Sequence, residues 1–125
     1  MIKISVCDDD EGQLTFFKQC FMEYNEKHKE KIEANFYQSV QSLLNEKKFS
    51  PDVYFLDIEL QDGNGLKLAG KIRTRNPKIP IVFITSHEEF MPEAFHVHAY
   101  QYLNEKKNAQ AVENVLNQLA DYFSE

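Results

Sequence analysis

Val53-Tyr54-Phe55-Leu56-Asp57 is the stretch that decides the fold. Its apolar run is unbroken and short. Pro51 precedes it and a carboxylate follows it directly. A half-exposed strand would alternate apolar and polar residues, so a continuous apolar run of this length suits a strand covered on both faces. Ile81-Val82-Phe83-Ile84 repeats the pattern: Pro77 and Pro80 bracket its entry, and the polar pair Thr85-Ser86 follows it.

Outward from these two strands the pattern alternates. Ile2, Ile4 and Val6 interleave with Lys3 and Ser5, and Ile32, Ala34 and Phe36 alternate in the same way. These alternating strands are expected toward the sheet edges and the continuous ones at its centre. Ala99 to Leu103 reads as a last strand. Helical spacing appears at Leu14, Phe17, Phe21 and Tyr24, and again at Val40, Leu43 and Leu44 behind a capping Ser39. Gly63 and Gly65 mark a turn before Leu66, Ala69 and Ile72. Phe90, Ala94 and Phe95 predict a short helix near Pro92, and Val112, Val115, Leu116, Leu119 and Phe123 a final one. Five strands alternating with five helices predict an α/β fold: a five-stranded parallel sheet with helices on both faces, doubly wound by right-handed crossovers. At 125 residues the chain is expected to form one domain, 1–125.

The net charge is -6, which argues against direct nucleic-acid binding, since that affinity rests on Lys and Arg displacing counterions. Cys7 and Cys20 form no CxxC pair and are expected to be reduced core thiols. No apolar run approaches the ~20 residues needed to span a bilayer. Met1-Ile2-Lys3 leads straight into a strand-like stretch without a leader pattern, so the expected location is cytoplasmic. His28, His87, His96 and His98 show no metal-ligand spacing.

Ligands of open α/β sheets bind outside the carboxyl ends of the strands. Asp8 and Asp9 follow the first strand, Asp57 the third, and Thr85 the fourth. An Asp run is often a solvated loop or helix cap, and a single Asp at a strand end is often a turn residue. The combination at one sheet edge is what makes the pattern specific. Three carboxylates in one pocket repel unless a cation sits among them. Their hard oxygens suit Mg²⁺, and a carboxylate beside that ion can act as nucleophile toward a phosphoryl group, with Thr85 as hydroxyl donor.

Val6-Cys7-Asp8-Asp9-Asp10, Phe55-Leu56-Asp57-Ile58-Glu59, Asn64-Gly65-Leu66 and Phe83-Ile84-Thr85-Ser86 together resemble the signature blocks of response-regulator receiver domains, CheY-like in fold. The resemblance covers nearly the whole chain. It implies strand order 2-1-3-4-5 and phosphorylation of Asp57 by a sensor histidine kinase. It also implies Mg²⁺ held by Asp9, Asp57 and the backbone carbonyl of Glu59, with Asp8 on a metal-bound water. Thr85 would bond the phosphoryl oxygen, and Tyr102 matches the switch aromatic. Such a domain is a phosphoacceptor rather than a dedicated enzyme. Ala94-Phe95-His96-Val97 and Ala99-Tyr100-Gln101-Tyr102-Leu103 are most similar to receivers that precede a LytTR-type DNA-binding domain. Residues 1–125 would then be the N-terminal part of a longer transcription regulator. Tyr100 and Tyr102, alternating with Gln101 on an edge strand, predict association through the strand-five side, as a homodimer or onto an output domain.

Two positions depart from the family pattern. Glu105 stands where the family has Lys, followed by Lys106 and Lys107 without the usual Pro, so Lys106 is a candidate substitute cation. Gln61 stands where a Pro is usual. Two other readings compete. One is a phosphorylation-independent pseudo-receiver, for which Glu105 is the best argument. The other is a haloacid-dehalogenase-type phosphatase using Asp8 and Asp10, with Asp8 as nucleophile.

Overall fold

The computed structural model describes residues 1–86, 88–104 and 107–124. Five strands form one sheet: β1 (Ile2–Cys7), β2 (Ile32–Tyr37), β3 (Val53–Asp57), β4 (Ile81–Ile84) and β5 (Gln101–Leu103). Their spatial order is β2-β1-β3-β4-β5, all parallel, as expected. Between them run α1 (Glu11–Lys27), α2 (Val40–Leu44), α3 (Gly65–Arg75) and α4 (Met91–His96), and α5 (Ala109–Phe123) closes the chain. A two-rung antiparallel hairpin, Glu59–Leu60 with Gly63–Asn64, joins β3 to α3.

The period of two along each strand divides the core. Ile4, Val6, Phe55, Val82 and Ile84 face α1 and α5, whereas Cys7, Leu56, Phe83 and Ile81 face α2, α3 and α4. The starts of α1, α2, α3 and α5 are capped by residue types that accept hydrogen bonds from otherwise orphaned amides. Asp10 accepts from Gly12 N–H, Asn64 from Leu66 N–H and Asn108 from Ala111 N–H. Ser39 and Ser42 form a reciprocal capping box on α2.

Four expectations need correction. β1 alternates in sequence yet lies inside the sheet, paired to β2 and β3, with Ser5 and Cys7 buried. Small polar Ser5 fits an interior strand once both flanks are paired, so alternation did not mark an edge. β5 is shorter than 99–103: His98 has a left-handed φ of 56°, and Ala99 N–H still bonds to the Ala94 carbonyl of α4 at 3.1 Å. Tyr100 does not share a face with Tyr102: Tyr100 meets Tyr122 of α5 at 5.8 Å, whereas Tyr102 packs toward the α3 and α4 side. Both are half-buried rather than exposed. Phe95, which helped to predict α4, is 81% exposed, and it is Ala94 that faces the core. A 3-10 turn, Glu88–Phe90, precedes α4, and Pro92 sits in its first turn, where no amide donor is needed.

Candidate phosphoacceptor and metal site

The carboxyl ends of β1 and β3 are adjacent because Cys7 pairs with Leu56, which brings Asp8 beside Asp57. Asp57 in turn pairs with Ile84, so Thr85 emerges next to it on the other side. Asp8, Asp57 and Thr85 are all buried, at 1%, 4% and 1% exposure, and Asp9 is half-buried. Asp8, Asp9 and Asp57 each offer one carboxylate oxygen, and these atoms all lie within 4.8 Å of one another. An open pocket of about 400 Å³ lies over them, lined also by Asp10, Glu59, Leu60 and Gln61. Backbone donors orient the acids. Asp10 N–H donates to Asp8 Oδ1 at 3.0 Å, Glu59 N–H to Asp57 Oδ1 at 3.3 Å, and Gln61 N–H to Asp9 Oδ2 at 3.0 Å.

Gly65 makes this packing possible. A Cβ there would fall 2.1 Å from the carbonyl oxygen of Asp57, so no other residue fits without displacing the backbone that carries Asp57. Thr85 is tied to the last strand through its own N–H, which donates to Leu103 carbonyl at 3.0 Å, one residue past Tyr102. Cys7 lies beneath the cluster. Burial first, then the neighbouring carboxylates led by Asp62, push its thiol up to about 12.

The sequence-selected Asp8, Asp9, Asp57, Glu59 and Thr85 are thus brought to one sheet edge. Tyr102 lies on β5 with its side chain toward the α3 and α4 side of the core. Glu105 and Lys106 lie outside the described residues. Lys107, also with a left-handed φ (47°), brings its ammonium over Gly12 at the start of α1, 3.4 Å from where a Cβ would stand. Asp10 does not join the carboxylate cluster; its side chain caps α1. That removes the Asp8–Asp10 pair on which the phosphatase reading depended. Sequence reasoning marked Gln61 only as a departure from the family pattern, without its amide's contact to Asp9, and missed Asp62. Asp62 spends both carboxylate oxygens on Val40 N–H (2.9 Å) and Gln41 N–H (3.1 Å) of α2. The acidic residue in a Gly-rich turn was the available signal, but nothing in the spacing says which amides it meets.

The model of the response regulator receiver domain family matches residues 4–117. An uncharacterized response regulatory protein of Yersinia pestis is 30% identical over 122 residues, covering 96% of this chain and 49% of that protein. The sensory transduction protein LytR of Staphylococcus saprophyticus is 38% identical over 81 residues, covering 59% of this chain and 32% of that protein. The chain therefore spans half or less of the length of these curated relatives. Among solved structures, the BeF3-activated DrrB receiver domain superposes with a TM-score of 0.82 at 20% identity, covering 97% of this chain and 98% of that one. The response regulator TrrA of Thermotoga maritima, in complex with Mg(2+)-BeF, gives 0.81 at 21% identity, covering 95% and 99%. These likenesses carry the fold, and no helix among the described residues is long and apolar enough to cross a membrane. With the family model spanning most of its length, the chain belongs to the receiver domains of two-component response regulators.

Proposed function

We propose that Asp57 accepts a phosphoryl group from a sensor histidine kinase and that the acyl phosphate switches the partner surface near β5, in control of transcription. The observation that carries this reading is the convergence of Asp8, Asp9 and Asp57 within 4.8 Å at the carboxyl ends of β1 and β3. The donor set fits Mg²⁺: the side-chain donors are all hard carboxylate oxygens, with no nitrogen or sulfur among them. Asp9, Asp57 and the Glu59 carbonyl would hold the ion directly, and Asp8 would hold its water. When bound, Mg²⁺ supplies positive charge that offsets the three carboxylates and the incoming phosphoryl oxygens.

The chain's own residues do the rest. Glu59 N–H donates to Asp57 Oδ1 and so fixes the plane of the carboxylate, whose oxygen attacks phosphorus. A new O–P bond forms as the P–N bond of the phosphohistidine breaks, and its electron pair departs on the imidazole nitrogen, which then takes a proton. The Thr85 hydroxyl donates to a phosphoryl oxygen. Because Thr85 N–H is bonded to Leu103, a shift of Thr85 is felt on β5 and at Tyr102. Lys106 is the proposed substitute cation. In this reading the domain acts as a phosphoacceptor rather than as a dedicated enzyme. As the longer relatives include LytR, we read residues 1–125 as the receiver unit of a regulator whose DNA contacts lie elsewhere. Met91 and Phe95, 49% and 81% exposed beside β5, favour homodimer formation on that side.

Mass spectrometry after incubation with acetyl phosphate and Mg²⁺ tests the reading. One phosphoryl group on Asp57, lost without Mg²⁺ and lost in Asp57→Asn, is the expected result. Unchanged uptake by Asp57→Asn, or labelling of Asp8, overturns it.

A further inference from the structure

The two-rung hairpin beside the site is too short to hold its own shape. Its tip, Gln61-Asp62, is exposed, yet it is pinned in two directions. Asp62 accepts from Val40 N–H and Gln41 N–H, amides of the first turn of α2 that no helical carbonyl can satisfy. Ser39 takes the next one, Ser42 N–H, so the two side chains divide the orphan donors between them. One residue earlier in the same tip, Gln61 N–H donates to Asp9 Oδ2, a contact between residues 52 apart in sequence.

A terminal carboxylate is a broad rotor, and a single hydrogen bond to one oxygen fixes which way the other points. Asp9 is the most exposed of the three clustered acids and so the one with least packing to orient it. We infer that Asp62 is a positioning residue for cation binding: by anchoring the hairpin on α2 it holds the Gln61 amide on Asp9. This rests on the Mg²⁺ reading above. Partners one bond behind a metal ligand commonly change affinity about 10–100-fold when removed. α2 thereby becomes part of the support of the site, although none of its residues lines the pocket.

Asp62 also carries a negative charge near the pocket, so a loss of affinity in a single variant could be long-range electrostatics alone. A double-mutant cycle separates the two. Mg²⁺ affinity is measured by calorimetry on the whole chain for wild type, Asp62→Ala, Gln61→Pro (which deletes the amide donor) and the double variant, with far-UV circular dichroism checking the fold. Each single variant is expected to bind about ten-fold more weakly, and the double no more weakly than either, because both break one contact. Asp62→Asn keeps one acceptor and is expected to lose about three-fold, which preserves the test if the alanine variant unfolds. Affinity within two-fold of wild type in Asp62→Ala overturns the inference. So does a double variant about 100-fold weaker, the product of independent effects. If wild type and Asp9→Ala bind Mg²⁺ alike, the reading of the metal site itself fails.

Discussion

On one face of the sheet, α1 and α5 lay 17 and 15 residues of helix over β1, β3 and β4; on the other, α2, α3 and α4 supply 5, 11 and 6. The long-helix face is locked by aromatic rings. Phe55 meets Phe17 and Phe21 edge-on, both at 5.8 Å, and Phe21 stacks on Phe36. The short-helix face is held by polar clamps. Arg73 donates from its guanidinium to the carbonyls of Val97 (2.8 Å), His98 (2.9 Å) and Ile79, fastening the end of α4 to α3, and Asp62 fastens the hairpin to α2. Burial depresses the Arg73 pKa, yet the group stays cationic at any physiological pH. The difference teaches where change is affordable. Interlocked rings have one good arrangement, whereas a few directional bonds to loop carbonyls can be exchanged for others. The site draws Asp8 and Asp57 from the carboxyl ends of β1 and β3, and its surroundings from the clamped face.

Each face holds one cysteine, which makes the largest test. Burial raises Cys20, facing α5, to about 11 and Cys7, facing α2, to about 12. The raised values keep both thiols protonated at pH 8, and native thiolate accumulates only as pH climbs toward them. Alkylation at pH 8 is expected to be roughly a hundred-fold slow at Cys20 and a thousand-fold slow at Cys7 relative to an unfolded thiol, read by peptide mass spectrometry. Faster labelling of Cys7 than of Cys20 would mean that α2 opens before α5, which sharpens the contrast between the faces.

Next in size are paired core deletions. Phe55→Ala and Phe83→Ala remove fully buried rings on opposite faces, and each should cost about 3–5 kcal/mol in urea unfolding. Phe55 should cost about 1 kcal/mol more, since it also loses two edge-on ring contacts. The reverse ranking breaks the comparison. Arg73→Met should cost about 2 kcal/mol and speed amide exchange across 94–98, because it leaves loop carbonyls without their charged donor. Unchanged exchange there would show that α4 is held by packing instead. Smallest is Phe95→Ser, expected within about 0.5 kcal/mol in the monomer for a ring already in water. Its effect should appear instead in sedimentation of a phosphorylated sample, as weaker self-association.

The alternation of elements, the two central strands and the cluster of Asp8, Asp9, Asp57 and Thr85 were legible in the sequence by itself. Each rests on local signals: an apolar run, a helical period, a carboxylate directly after a strand. Parallel α/β topology then brings strand ends to one edge, so order along the chain becomes proximity in space. What only the tertiary structure decided depends on contacts between distant segments. β1 is interior because β2 and β3 both pair with it, whatever its alternation suggests. Tyr100 and Tyr102 part company, one against Tyr122 of α5 and the other toward α3 and α4, although two residues apart in sequence. Asp62 and the Gln61 amide gain their roles from Val40, Gln41 and Asp9, which lie 21 to 52 residues away. A hydrogen bond of that kind leaves no period in the sequence, because its geometry exists only once the sheet has brought both partners to the same edge.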